Sequence, residues 1–301
     1  MKKLFGVLLF APAVASAQQI YSSYWYGEDT DQNREHSVAV EGWQNITTAS
    51  FFEANVGARV TQSRVSNRGQ SQNTTDARVL GHVILDNMWN LNYSIGVFNG
   101  AKTEMVGSVE GSLRTEKTLF ALGVDRSGIS SITGEQNGVR VGAHTYRTRY
   151  YTSAEYFGTR WGASGVGYVE NFSDANTRRG IDSRVYYTVL PAAGASVYVK
   201  TRHWRNSKPY TGNYYSPDQL DRYLAGVQVK YSVSDNVVLS GYADAGVQHV
   251  DSKTSRVRNW KVQIDRTHSN AVAYGAAVGV DSSANHSYRY KYATAFVNYR
   301  F

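Results

Sequence analysis

The chain has no cysteine. That excludes disulfides, thiolate metal sites and cysteine nucleophiles. Proline is nearly absent: Pro12 lies close to the N-terminus, and Pro191, Pro209 and Pro217 all fall between alternating segments, where no ladder N–H is required. After the first residues there is no run of 18 apolar residues, so no segment predicts a membrane-spanning helix. Basic runs of five or more are also missing, which leaves nucleic-acid binding without support despite a net charge of +8. Catalytic patterns are lacking too. The seven histidines form no pair at metal-ligand spacing, and there is no P-loop, no GxGxxG opening a helix and no GxSxG elbow. The expectation is a non-enzyme with no catalytic residue, no metal and no cofactor.

What is present begins at the N-terminus. Met1-Lys2-Lys3, an apolar stretch from Leu4 to Ala15 and the small-x-small site Ala15-Ser16-Ala17 predict a signal peptide over 1–17, with the mature chain starting at Gln18. Loss of Lys2 and Lys3 lowers the charge from +8 to +6. Aromatic residues are abundant, with 23 Tyr, 6 Trp and 10 Phe. Tyr and Trp favour a membrane–water interface, apolar body in lipid and polar tip in water. Mean hydropathy is −0.44. A barrel strand that alternates lipid-facing apolar with lumen-facing polar residues keeps that average low.

Period-2 alternation recurs from Ser37 onward. Leu91, Tyr93, Ile95 and Val97 point one way and Asn92, Ser94 and Gly96 the other; Val197 and Val199 alternate with Tyr198, Lys200 and Arg202. This predicts an all-β fold, a transmembrane antiparallel β-barrel of 16 strands, or 14 if the first and fourteenth candidates are dropped. The candidates lie near 20–27, 36–45, 51–65, 75–86, 91–99, 103–114, 117–126, 138–150, 160–171, 178–190, 195–205, 221–233, 237–250, 255–266, 270–281 and 288–301. Residues 18–35 are then an N-terminal segment with a possible first strand, and 36–301 the barrel. An even count puts both termini in the periplasm. Links at 86–90, 190–194 and 233–236 read as periplasmic turns, and the longer polar links at 66–74, 127–137 and 206–220 as outer loops, with 151–159 an exception to the alternation.

The final strand alternates up to a terminal aromatic. Tyr299 and Phe301 are placed toward lipid with Val297, Ala295 and Ala293, and Arg300, Asn298, Phe296, Thr294 and Tyr292 inward. A terminal aromatic closing an amphipathic strand resembles the signal read by the barrel assembly machinery, an expected partner with outer-membrane lipid and lipopolysaccharide.

Alternation also predicts the lumen. The expected inward charges are Glu53, Arg59, Arg78, Glu110, Arg140, Asp182, Arg184, Lys200, Arg202 and Asp244, and the expected inward aromatics Tyr146, Tyr186, Tyr198, Trp204, Tyr242 and Tyr292. Mixed charges with rings suit a hydrated sugar path, although any water-filled barrel carries mixed charges and Tyr can simply brace the wall. Ala271, Ala273, Gly275, Ala277 and Gly279 are expected to line one inner wall and leave space there.

Three segments carry a family resemblance. They are Leu122-Gly123-Val124-Asp125-Arg126, the run from Glu170 to Arg179 that contains Asp174 and Asn176, and Tyr214-Tyr215-Ser216-Pro217. Together they resemble the barrel domain of bacterial exopolysaccharide-export porins of the poly-N-acetylglucosamine and cellulose type. Ala175 stands where that family usually has Gly, and Asp125-Arg126-Ser127 replaces a more usual Ser-Arg-Asp order. The resemblance implies an outer-membrane channel that passes a polysaccharide made by an inner-membrane synthase. No 34-residue helical repeat precedes the barrel, so a periplasmic repeat scaffold would be a separate chain. The alternatives are a diffusion porin for small anionic or neutral solutes, suggested by scattered basic groups, and a surface interaction protein such as a phage receptor, suggested by the polar links at 66–74 and 206–220.

Overall fold

The computed structural model describes residues 18–49, 52–67, 69–86, 88–100, 102–129, 145–267, 271–283 and 288–301. The expected signal peptide and Arg140 lie outside them. The described chain forms sixteen strands: β1 (Gln19–Asp29), β2 (Arg34–Ala49), β3 (Phe52–Asn67), β4 (Gln70–Leu85), β5 (Trp89–Asn99), β6 (Thr103–Arg114), β7 (Thr118–Ile129), β8 (Thr145–Phe157), β9 (Trp161–Phe172), β10 (Thr177–Leu190), β11 (Ala195–Asn206), β12 (Gln219–Ser234), β13 (Val237–Val250), β14 (Lys253–Thr267), β15 (Val272–Ser283) and β16 (Tyr288–Arg300). Each pairs antiparallel with its neighbours in sequence, and β1 also pairs β16, from Gln19↔Arg300 to Asp29↔Tyr290. The sheet therefore closes on itself, and Phe301 N donates to Gln18 O at 2.9 Å across the seam. Closure removes the unpaired edge that lipid cannot satisfy.

Two faces follow from the pleat. Leu122 (70 % exposed), Met105, Ile95, Val185 and Val199 stand on the outside, while Leu224, Val65 and Val106 are buried inside. Exposed apolar residues at alternate positions on nearly every strand are what a lipid-facing wall requires. No described helix is long and apolar enough to cross a membrane. Both the first and the fourteenth candidate strands are present, so the fourteen-strand alternative falls away.

Two boundaries differ from the sequence reading. The link expected at 66–74 is strand: β3 reaches Asn67 and β4 starts at Gln70, with Gly69 in the left-handed region at φ +84°. The β3–β4 ladder continues through this polar stretch, from Ser63↔Thr74 to Asn67↔Gln70, as a hairpin extending beyond the apolar belt, which polarity alone does not distinguish from a loop. Of the strand expected at 138–150, residues 138–144 lie outside the described residues; β8 is described over Thr145–Phe157, its far end shifted seven residues past the expected one. That shift turns the exceptional 151–159 link into the tight turn 158–160, closed by Gly158 N donating to Trp161 O at 2.8 Å.

Tyrosine and glycine cooperate along the inner wall. Tyr186 lies directly across from Gly162, and Tyr168 across from Gly180. A Cβ built on Gly180 would come within 2.5 Å of the Tyr168 ring. Tyr292 lies across from Gly279 in the same way. These rings lie over a bare backbone, covering it as aromatic residues cover strand glycines elsewhere.

Candidate functional site: a polarised lumen with an infolded loop

Register decides which side chains share the interior. Val197 and Val199 face out, so Tyr198, Lys200, Arg202 and Trp204 face in. By the same pairing Asp182, Arg184 and Tyr186 of β10, Tyr242 and Asp244 of β13, and Tyr292 of β16 are inward. Glu53, Arg59, Arg78 and Glu110 are inward as well, as are Ala273, Gly275, Ala277 and Gly279, while Ala271 precedes β15. Tyr146 is placed elsewhere than expected. Pairing of Val124 with Tyr150 fixes the inner face of β8 as Arg147, Arg149 and Tyr151, and puts Tyr146 in register with the outer residues. Beyond the last β6–β7 pair Tyr146 packs edge-on against Phe98 and donates to Lys102 O at 2.8 Å. Arg126 also faces outward, 3.5 Å from Glu104 and over the Tyr146 ring.

Charge is not spread evenly round the interior. The inner face of β8–β12 carries Arg147, Arg149, Arg178, Arg184, Lys200, Arg202 and Arg222, against Glu155, Glu170 and Asp182. Across the barrel, β1–β3 carry Asp29, Glu35, Glu41 and Glu53 against Arg59. A basic wall thus faces an acidic one, and the field between them crosses the lumen.

On and beside the basic wall Glu170 gathers three arginines, while Asp244 and Asp182 take one cation each. Glu170, its side chain 4 % exposed, receives Arg147 at 3.2 Å and Arg178 at 3.4 Å, with Arg149 at 3.9 Å. Asp244 is fully buried; it pairs with Lys200 at 2.6 Å and accepts Tyr198 Oη at 2.7 Å and Asn259 Nδ2 at 2.8 Å. Asp182 takes Arg202 through both of its oxygens. Arg184 lies 4.2 Å from the Tyr198 ring and Arg149 4.4 Å from the Tyr168 ring. Tyr292 is hydrogen-bonded to Tyr242 and stacked on Trp25 at 5.0 Å. The lumen is consequently lined by polar groups that hold one another in place, although the buried Nε atoms of Arg59, Arg147, Arg149 and Arg184 find no hydrogen-bond partner among the described residues. Among the described residues no cluster of His, Asp and Glu has metal-ligand geometry.

The link between β11 and β12, residues 207–218, folds back into the mouth. Tyr214 is buried and stacks on the inward Phe172 at 4.3 Å, rings 12° apart. Asn176, 1 % exposed, donates to Tyr214 Oη at 2.8 Å and to Asn206 Oδ1 at 3.1 Å, and accepts Lys208 N at 2.8 Å. Arg178 sits 4.2 Å from the Trp204 ring and donates to Tyr215 O at 2.6 Å. Asn206 donates to Pro217 O. Ser216 closes the loop internally, accepting Tyr210 N at its carbonyl and Thr211 N at its Oγ. Asp174 accepts Tyr214 Oη at 3.2 Å. Ala175 occupies the left-handed region at φ +63°, which explains why this turn position suits glycine. At the loop tip the Asp251 carboxylate beside Tyr210 pushes the Tyr210 phenol up to about 12.

Two segments named from the sequence, 174–179 and 214–217, therefore meet in space. Asp125 joins the same wall, 3.5 Å from Arg147 and 3.9 Å from Arg78. Arg179 does not: it points outward, opposite Arg205. Its neighbour Arg178 holds the loop. Arg147, Arg149, Arg178, Arg222 and Trp25 were not singled out in the sequence, although Arg147-Thr148-Arg149 shows the period-2 spacing that puts two cations on one face.

No family model matches the sequence. No curated protein matches it. Solved structures do. A bacterial polysaccharide outer membrane secretin aligns over 94 % of this chain and 98 % of its own, at 10 % identity and a TM-score of 0.71. The fold is that of the outer-membrane porins. OccK7 (OpdD) of Pseudomonas aeruginosa aligns over 94 % and 97 % at 7 % identity and a TM-score of 0.52. OccD3 (OpdP) of the same organism aligns over 95 % and 91 % at 6 % identity, also with a TM-score of 0.52. The chain is thus a closed 16-strand barrel similar to outer-membrane channels.

Proposed function

We propose that this protein is an outer-membrane channel through which a bacterial exopolysaccharide leaves the cell. The reading rests on the meeting of Asp174 and Asn176 with Tyr214–Pro217 in one latch at the mouth. These are the segments that resemble exopolysaccharide-export porins. A structural likeness to a polysaccharide secretin over nearly the whole chain supports the same reading. The lumen suits a sugar chain: hydroxyls exchange among Asp182, Lys200, Arg202 and Tyr242, each contact weak enough to release. Nothing in this reading supplies energy from the barrel. An inner-membrane synthase pushes the chain, a separate periplasmic scaffold guides it, and the assembly machinery inserts the barrel by reading Tyr299 and Phe301. Deletion of the gene is expected to abolish surface polymer while synthesis continues; normal display in the deletion strain overturns the proposal.

A second reading, a diffusion porin for small anionic or neutral solutes, is favoured by the opposed charged walls and by likeness to the Pseudomonas channels. Planar-bilayer recording separates the two. A steadily open pore in the native protein supports the porin. A closed pore that opens when the 207–218 loop is removed supports the exporter.

A further inference from the structure

The outer surface carries a group of cations that the channel reading does not use. Arg256 and Arg258 stand two residues apart on the outward face of β14, and both are exposed. Arg258 pairs with Ser282, and Ser282 with the exposed Arg289, so the two guanidinium-bearing residues lie in one row with a single strand between them. At the usual strand spacing that row sets them about 10 Å apart. None of the three has an ion-pair partner among the described residues. The adjacent outward cations of β2 and β16 are placed against a carboxylate: Arg34 lies 3.0 Å from Glu28, and Lys291 lies across from the same residue. Beneath Arg256 and Arg258 the same face becomes apolar, with Trp260, Val262, Val278 and Val280, while beneath Arg289 Lys291 stands in the Trp260–Val280 row before Ala293. All three lie close to the end opposite the chain termini, the outer end of an even-stranded barrel.

Like charges grouped on one face repel, and an anion held among them relieves that repulsion. Acyl chains on the Trp260 and Val278 rows would bring an attached headgroup to the height of Arg256, Arg258 and Arg289. We propose that this face of β14–β16 binds a phosphorylated glycolipid of the surrounding outer leaflet, its phosphates held by these three arginines. The proposal rests on the outer-membrane reading but not on what the lumen conducts.

The test uses the full mature chain refolded in non-ionic detergent, with heat-modifiable gel migration as the check that the barrel has formed. The probes are bisphosphorylated lipid A, its dephosphorylated form and inorganic phosphate, read by native mass spectrometry and by the unfolding midpoint. Lipid A is expected to bind the native protein and raise its midpoint. The variant R256Q/R258Q/R289Q is expected to bind it roughly a hundredfold more weakly, at about one factor of five for each surface cation. R266Q, an outward arginine at the other end, is expected to behave as native. Equal lipid A binding by the triple variant overturns the proposal, as does equal binding of the dephosphorylated lipid. Competition by inorganic phosphate at equal concentration overturns the lipid as source. If the triple variant does not form a barrel, the single variant R258Q is read instead, and native-like lipid A binding by it, with no weakening beyond R266Q, overturns the assignment. A native chain that forms no barrel in detergent overturns the membrane reading and this site with it, whereas a formed barrel indifferent to lipid A overturns the site alone.

Discussion

Asn176 shows how much one side chain decides here. It is buried, and its amide serves Tyr214, Asn206 and the Lys208 N–H together. Asn176→Ala leaves those partners unsatisfied, at about 1–3 kcal/mol. The expected outcome is a released loop, seen as faster cleavage within 207–218 by an alkaline-active subtilisin with the strands still resistant; unchanged cleavage would show that the latch does not depend on this residue. The same loop is predicted to respond to alkali. Tyr210 donates to Asp251, and its phenol is raised from an ordinary value of about 10 to about 12. The contact is therefore fully present below pH 10 and is lost as pH rises through about 12. Loop cleavage in the native protein should rise across that window, and Tyr210→Phe should abolish the transition. At the closing strand, Phe301 is 74 % exposed and packs edge-on with Tyr299 at 4.6 Å. If the pair is an assembly signal, Phe301→Ala lowers insertion in cells while refolding in detergent stays normal.

At the level of a strand, one residue separates lipid from water. Leu122 of β7 faces out and is highly exposed, whereas Ala121 faces in, between Ser112 and Ser153. Leu122→Arg is expected to destabilise the barrel by about 2–4 kcal/mol if it lies at the bilayer midplane. Ala121→Arg, with water and polar neighbours around it, is expected to cost far less. Urea titration in liposomes measures both, and equal costs would contradict the assigned faces. Most of this pattern was legible in the sequence, because alternation is a property of consecutive residues: Tyr198, Lys200 and Arg202 follow directly from Val197 and Val199. Strand β8 was not legible. Its Tyr146, Tyr150 and Tyr151 fit either face, so only pairing with Val124 fixes which side Arg147 and Arg149 take. The polar Ser63–Thr74 hairpin misled for a related reason, since strand beyond the apolar belt has no lipid to select an apolar face.

For the whole molecule, closure is the dominant fact. Sixteen strands with no free edge satisfy the backbone without help from solvent, which is what allows every inward position to be polar. The amino-acid order by itself determined the barrel, the near-correct strand set and the side of most residues, because lipid on one face and water on the other imprint a two-residue period. It also marked 174–179 and 214–217 as special, but not that they touch. Only the tertiary structure decided that β1 meets β16, that Glu170 gathers arginines from β8 and β10, and that the 207–218 loop turns inward rather than outward. Those outcomes depend on residues tens to hundreds of positions apart. Their energies come from buried ion pairs and stacked rings that exist only once the cylinder has closed, and no local pattern records them.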